Sequence, residues 1–167
     1  HLIATEQWHR NVPIARNQLG PFGVPVVAAD SLRLPFADAS FDLVLSRHEA
    51  IEPREVARVL SPGGVFITQQ VGRHSWQELD AHFPRRTKWP DHRTTYSQEF
   101  QAAGMQVESR EHESLVAYPS LGAFVFMLLT APWEIEALDI DSDLEALLAL
   151  ERQCAGPLGF VVTECRY

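Results

Sequence analysis

The chain has 167 residues, 46% hydrophobic and 22% charged, enough for one domain with a packed core and unlike a disordered or fibrous chain. With 14 Lys+Arg against 22 Asp+Glu, its formal net charge is −8, so it lacks the basic surface that grips nucleic-acid phosphates. Its two cysteines, Cys154 and Cys165, form no disulfide framework and no Cys-x-x-Cys pair, which points to a reducing, cytoplasmic setting.

Strand-like and helix-like segments alternate along the chain. Residues 2–6 read as a short strand. Asn11 and Pro13 open a helix that Gly20-Pro21-Phe22-Gly23 ends, with proline early and glycine late. Residues 24–30 are almost wholly apolar, as in a strand buried on both faces, with Pro25 at its start. Residues 41–46 predict a second such strand and 53–60 a helix. Ser61-Pro62-Gly63-Gly64 predicts a turn, and 65–69 the next strand. Ser75-Trp76-Gln77-Glu78 has the capping-box pattern and predicts a helix over 76–83. The Pro- and Arg-rich residues 84–95 read as loop. A short helix at 97–103 ends on Gly104 and leads into a strand at 105–113. Residues 119–130 predict a helix that is apolar nearly all round. Its most apolar run, 121–129, is far short of the ~20 residues needed to cross a bilayer. A second capping box, Ser142 to Glu145, opens a Leu-rich helix to about Gln153, and 159–166 close the chain as a strand. This alternation implies parallel βαβ units in a layered α/β fold.

In open α/β sheets ligands lie beyond the C-terminal ends of the strands. Those ends carry Glu6, then Asp30 and Ser31, then Ser46 with Arg47, His48 and Glu49, then Gln69 and Gln70. A strand-end carboxylate can accept both hydroxyls of a ribose, or it can simply favour a helix N-terminus. His48 beside Glu49 could serve as a general base whose imidazole the carboxylate orients, or it could pack at the loop start.

The run Asp30-Ser31-Leu32-Arg33-Leu34-Pro35-Phe36 precedes Ser40-Phe41-Asp42-Leu43-Val44, and Arg58-Val59-Leu60-Ser61-Pro62-Gly63-Gly64 precedes Val65. In that order and spacing, with Glu6 ahead of them, these segments closely resemble the class I S-adenosylmethionine-dependent methyltransferases, in particular the type 11 branch. The resemblance covers residues 6–72. It implies a Rossmann-like layered sheet, mostly parallel with an antiparallel C-terminal strand and with helices on both faces. It assigns Glu6 to the cofactor ribose, Gln7 and Trp8 to the neighbourhood of the adenine, and Asp30 and the Ser31 backbone to the adenine edge. Ser46 and Arg47 fall near the methionine part, and His48 and Glu49 become the catalytic candidates. The implied cofactor is S-adenosyl-L-methionine, with S-adenosyl-L-homocysteine as product and a small molecule as acceptor. No metal, nucleic acid or membrane is called for, and self-association through exposed sheet edges is expected.

One departure from the family is plain: no Gly-x-Gly-x-x-Gly occurs. The family's first strand and glycine-rich loop are therefore expected to be missing. Residues 1–167 would form a single, N-terminally incomplete domain, with 1–72 on the cofactor side and 73–167 on the acceptor side. Two other readings compete: a non-catalytic methyltransferase-like binding or regulatory module, and a different Rossmann-type nucleotide binder. Asp139 to Asp143 imitates the start of a calcium loop but has Leu144 and Leu150 where that loop needs Gly and Glu. His74, Glu78 and His82 share a helical spacing that reads as wet surface rather than as a zinc site.

Overall fold

The computed structural model describes all residues, His1–Tyr167. They divide into two compact units: His1–Gln70 with Thr95–Glu108, and Val71–Thr94 with Ser109–Tyr167.

In the first unit, strand β1 (Ala4–Glu6) pairs in parallel with β2 (Val26–Ala28). Pro25 cannot donate a hydrogen bond, and it contributes its carbonyl to the Ala4 N–H instead (3.0 Å). Helix α1 (Val12–Leu19) connects them, with Pro in its first turn, where a missing N–H costs nothing. It buries Val12, and its Arg16 Nε donates to the Val26 carbonyl at 3.2 Å.

The second parallel pair is β3 (Phe41–Arg47) with β4 (Leu60–Gln69), joined by α2 (Pro53–Val59). Glu52 caps α2, its side chain accepting the Arg54 N–H at 3.1 Å. Phe41 lies opposite Leu60, and Leu43 opposite Val65. The predicted turn at 61–64 is thus a bulge inside β4 that faces Asp42 alone, with Gly63 at φ 81°. One face of this pair carries Val44 and Phe66 into a core with Ile51, Val56, Leu60 and Phe100. Phe100 comes from α3 (His92–Ala102). On the other face Leu43, Leu45, Val65 and Ile67 are each at least half exposed. β1 bonds to β2 alone and β3 to β4 alone, so each keeps one unpaired edge.

The predicted strand at 105–113 shifts. Met105 and Val107 pack on the first unit's core without joining a ladder. The strand, β5, is His112–Tyr118. Its partner β7 (Gly159–Arg166) begins the antiparallel register at Arg166 opposite His112, which leaves the preceding residues nothing to pair with. The two-residue β6 (Ala155–Gly156) completes that sheet. Gly159 is required there: at φ 106°, a Cβ would stand 2.3 Å from the Tyr118 carbonyl oxygen.

Helix α4 (Leu121–Thr130), capped by Ser120 on the Ala123 N–H at 3.2 Å, buries Phe124, Val125 and Leu128 but leaves Phe126 and Leu129 exposed. Helix α5 (Leu144–Cys154) adds Leu147 and Leu150 to the second unit's core. At its centre Phe124 stacks on Phe160 (4.9 Å between ring centroids) and meets the Trp76 edge at 5.2 Å.

Neither capping box forms. Ser75 Oγ instead donates to the Cys165 carbonyl (2.7 Å) and accepts its N–H (2.8 Å), while Glu78 Oε1 accepts the N–H and hydroxyl of Thr163 (2.9 and 2.6 Å). The expected helix at 76–83 shrinks to a 3₁₀ segment, Gln77–Ala81, because β7 takes the side chains that would have started it. At the second box, Asp143 pairs with Arg85 and accepts the Asp139 N–H (3.0 Å), so α5 begins without a side-chain cap.

A candidate active site at the strand ends

The first unit contains a cleft of about 230 Å³ at the C-terminal ends of its strands. Thr5, Glu6 and Gln7 border it from β1, Ala29 and Ser31 from the end of β2, and Val44 to Arg47 from β3. Leu34, Ile51, Val56 and Phe66 give it apolar walls, and Glu49 and Ala50 also border it. The converging strand ends are what βαβ geometry provides: parallel strands aim successive loops at one side of the sheet.

The polar groups here are built in different ways. Glu6 Oε1 accepts the Trp8 N–H at 2.8 Å, which leaves the second carboxylate oxygen without a partner in the chain. Ser31 Oγ is buried and has no hydrogen-bond partner, an arrangement that costs free energy unless something else supplies one. Arg47 Nε donates to Gln69 Oε1 at 3.0 Å, which holds the guanidinium across the β3–β4 pair with its terminal nitrogens unspent. Glu49 Oε1 accepts the neighbouring Ala50 N–H (3.1 Å). His48 sits between these two in a left-handed conformation (φ 54°), its N–H on the Gln69 carbonyl at 2.9 Å. Such backbone is sparsely populated outside glycine and is found disproportionately at functional positions.

Of the residues expected from the sequence, the cleft brings together Glu6, Gln7, Ser31, Ser46, Arg47 and Glu49. Trp8, Asp30 and His48 do not border it. Trp8 is exposed, and Asp30 Oδ1 accepts the Leu32 N–H at 2.9 Å in a local turn. Ile51, Val56 and Phe66 were not anticipated as walls. Their place follows from the register that sets Val44 beside Phe66 on one sheet face, which the sequence does not specify.

Chemistry elsewhere is quieter. Burial pushes the thiol of Cys154 up to about 11, and burial with the Glu111 carboxylate beside it pushes Cys165 up to about 12, so both stay protonated at neutral pH. Trp89 Nε1 donates to Glu134 (3.2 Å), whose carboxyl is raised by burial. Glu78 is held by Thr163, His82 bonds Gln153 at 2.7 Å, and His74 accepts from Arg73 at 3.1 Å, so the three do not converge.

Residues 1–68 match the profile of a family described as a methyltransferase domain. No curated protein sequence matches the chain. Among similar solved structures is a candidate methyltransferase from Bacillus halodurans, at 14% identity and TM-score 0.65, covering 98% of this chain and 79% of that one. YcgJ from Bacillus subtilis is similar at 17% identity and TM-score 0.64, with 98% and 77% coverage. The cyclase SpnF shares the fold at 15% identity and TM-score 0.52, over 98% and 65% of the two chains. At such identities the likeness establishes the fold, and a cyclase among these structures shows that the fold does not by itself select a reaction.

Proposed function

We propose that this chain is a methyltransferase of the family whose domain pattern residues 1–68 match, and that its strand-end cleft binds S-adenosyl-L-methionine and serves methyl transfer to a small molecule. The observation that carries this reading is the set of unspent polar groups in one cleft: the second oxygen of Glu6, the orphaned Ser31 hydroxyl and the terminal nitrogens of Arg47. They fit the cofactor. Glu6 would take the ribose hydroxyls with Gln7 beside them, and Ser31 and Leu34 would meet the adenine with Asp30 and Trp8 nearby. Arg47, with Ser46, would take the carboxylate of the methionine part. The bound cofactor supplies an electrophilic methyl group on a sulfonium.

The chain's own part is to bind and orient. The apolar walls Val44, Ile51, Val56 and Phe66 would hold the apolar parts of the ligand, and Glu6, Glu49 and Arg47 its polar ones. His48, next to the cleft residue Arg47 at the end of β3, is the candidate general base for an acceptor that must lose a proton, with Glu49 beside it. Acceptor recognition is assigned to residues 73–167, and a cytoplasmic setting is supported by two buried, free thiols. No helix is long and apolar enough to cross a membrane.

One observation favours a second reading: no glycine borders the cleft, so no glycine-rich backbone wraps a ligand there. That suits a binding or regulatory module without turnover. Calorimetric titration with S-adenosyl-L-homocysteine tests the proposal. Saturable binding is expected, weakened about tenfold or more by Glu6→Ala, as loss of a charged hydrogen-bond acceptor implies. Absence of binding by the unaltered protein would remove the methyl-transfer reading.

A further inference from the structure

The loop after β2 supplies Leu34 to the cleft wall, and two residues of α2 hold that loop without bordering the cleft themselves. Glu55 and Arg58 form a two-bond pair, Nε to Oε1 at 3.0 Å and Nη2 to Oε2 at 2.8 Å. The outer atoms of this pair reach the loop backbone. The Leu34 N–H donates to Glu55 Oε2 (3.1 Å) and the Leu34 carbonyl accepts from Arg58 Nη2 (3.0 Å), so one residue is gripped at both its polar backbone groups. Arg58 Nη1 extends the hold to the Phe36 carbonyl at 2.7 Å and the Asp38 carboxylate at 2.8 Å. A planar fork with fixed donor directions can do this, whereas a lysine can make only part of it.

Leu34 itself is not locked by secondary structure: residues 34 and 35 lie in neither helix nor strand. Its place on the wall is therefore set by this pair. We propose that Glu55 and Arg58 are positioning residues for the cleft, fixing Leu34 as the apolar surface on which the purine end of the ligand rests. This rests on the proposed function, since it names the subsite of that same cleft. A supporting shell of this kind acts through pre-organisation: without it the ligand must order the loop as it binds.

The test is calorimetric titration of S-adenosyl-L-homocysteine and of adenosine into the unaltered protein and into Arg58→Lys, Glu55→Gln, Leu34→Ala and the Arg58→Lys/Leu34→Ala double variant. Measurements are made well below each protein's unfolding temperature. Arg58→Lys is expected to weaken both ligands by the same factor, about tenfold, as loss of charged hydrogen bonds implies. In the Leu34→Ala background the same substitution is expected to have little further effect, because the pair works through Leu34. Glu55→Gln keeps an acceptor for the Leu34 N–H but loses the charge, and is expected to fall between the unaltered protein and Arg58→Lys; it carries the test should Arg58→Lys not fold. Variants that lower the melting temperature yet leave both affinities unchanged would overturn the proposal and leave a purely structural pair. Full additivity in the double variant would also overturn it. Failure of the unaltered protein to bind either ligand would remove the functional reading and this subsite with it.

Discussion

At the scale of single residues, Glu55 shows how a charge can be legible in composition yet acquire its meaning only in space. The hydrogen bonds from Arg58 hold its carboxyl below the ordinary value of 4.5, helped by the Leu34 N–H and opposed by partial burial. A carboxylate with a depressed pKa contributes stability that is present above about pH 4.5 and is lost as pH falls through the lower folded value. The gap in melting temperature between the unaltered protein and Glu55→Gln should therefore be larger at pH 7 than at pH 3. Thermal unfolding followed by circular dichroism across that range checks it, and a gap independent of pH would contradict the assigned ion pair.

Glu6 and Asp30 make a related contrast. Both are acids at strand ends, and both accept a backbone N–H two residues on. Glu6 nonetheless borders the cleft and Asp30 does not. In sequence both are strand-end acids, and only the fold separates them.

At the scale of elements, the two capping boxes are instructive because each pattern is present and neither motif forms. A capping box is a local bargain between a helix start and its own side chains. At Ser75 and Glu78 it is outbid by the backbone of β7, which is 85 or more residues away in sequence and whose buried Cys165 N–H and Thr163 N–H take their acceptors from these two side chains. Ser75→Ala would take the acceptor from the Cys165 N–H in a buried place, while the Cys165 carbonyl keeps the Gly72 N–H (2.7 Å), at a cost of about 2 kcal/mol. Denaturant unfolding should show that loss. If Ser75 were merely a helix cap, the loss would come from the 76–83 segment alone, and amide exchange at Cys165 would not change. Faster exchange at Cys165 is the expected result.

Strand β5 tells the same story in register. Residues 105–113 have the alternation of a strand, and Met105 and Val107 do point inward, but a ladder also needs a neighbour with free backbone groups. That neighbour begins at Arg166, opposite His112. Hydrophobic period is a property of the segment, and pairing is a property of two segments.

At the scale of the whole molecule, the exposed face of the β3–β4 pair stands out. Leu43, Leu45, Val65 and Ile67 are neighbours across the ladder, and none is covered. Contiguous apolar surface of this kind attracts other apolar matter. The protein should enhance the fluorescence of an apolar reporter dye in the native state, and Leu43→Lys with Ile67→Lys should abolish most of that signal without loss of helix content. A signal unchanged by the pair of charges would locate the dye elsewhere.

What the sequence determined by itself is the order of elements, the alternation that makes them an α/β chain, and the strand-end positions where polar residues gather. These follow from periodicity, from Pro and Gly chemistry and from motif spacing, all of which act within a few residues. The family resemblance, carried by segments between Glu6 and Gly72, extended that reading to a methyltransferase, and the match over residues 1–68 agrees with it. The tertiary structure alone decided which strand-end residues share a cleft, that Ile51, Val56 and Phe66 wall it, that Glu55 and Arg58 hold Leu34 in place, and that β7 claims Ser75 and Glu78. The physical reason is the same in each case. Buried polar groups and apolar faces must find partners, and when the partner lies 20 to 90 residues away, only the folded chain specifies which one it is.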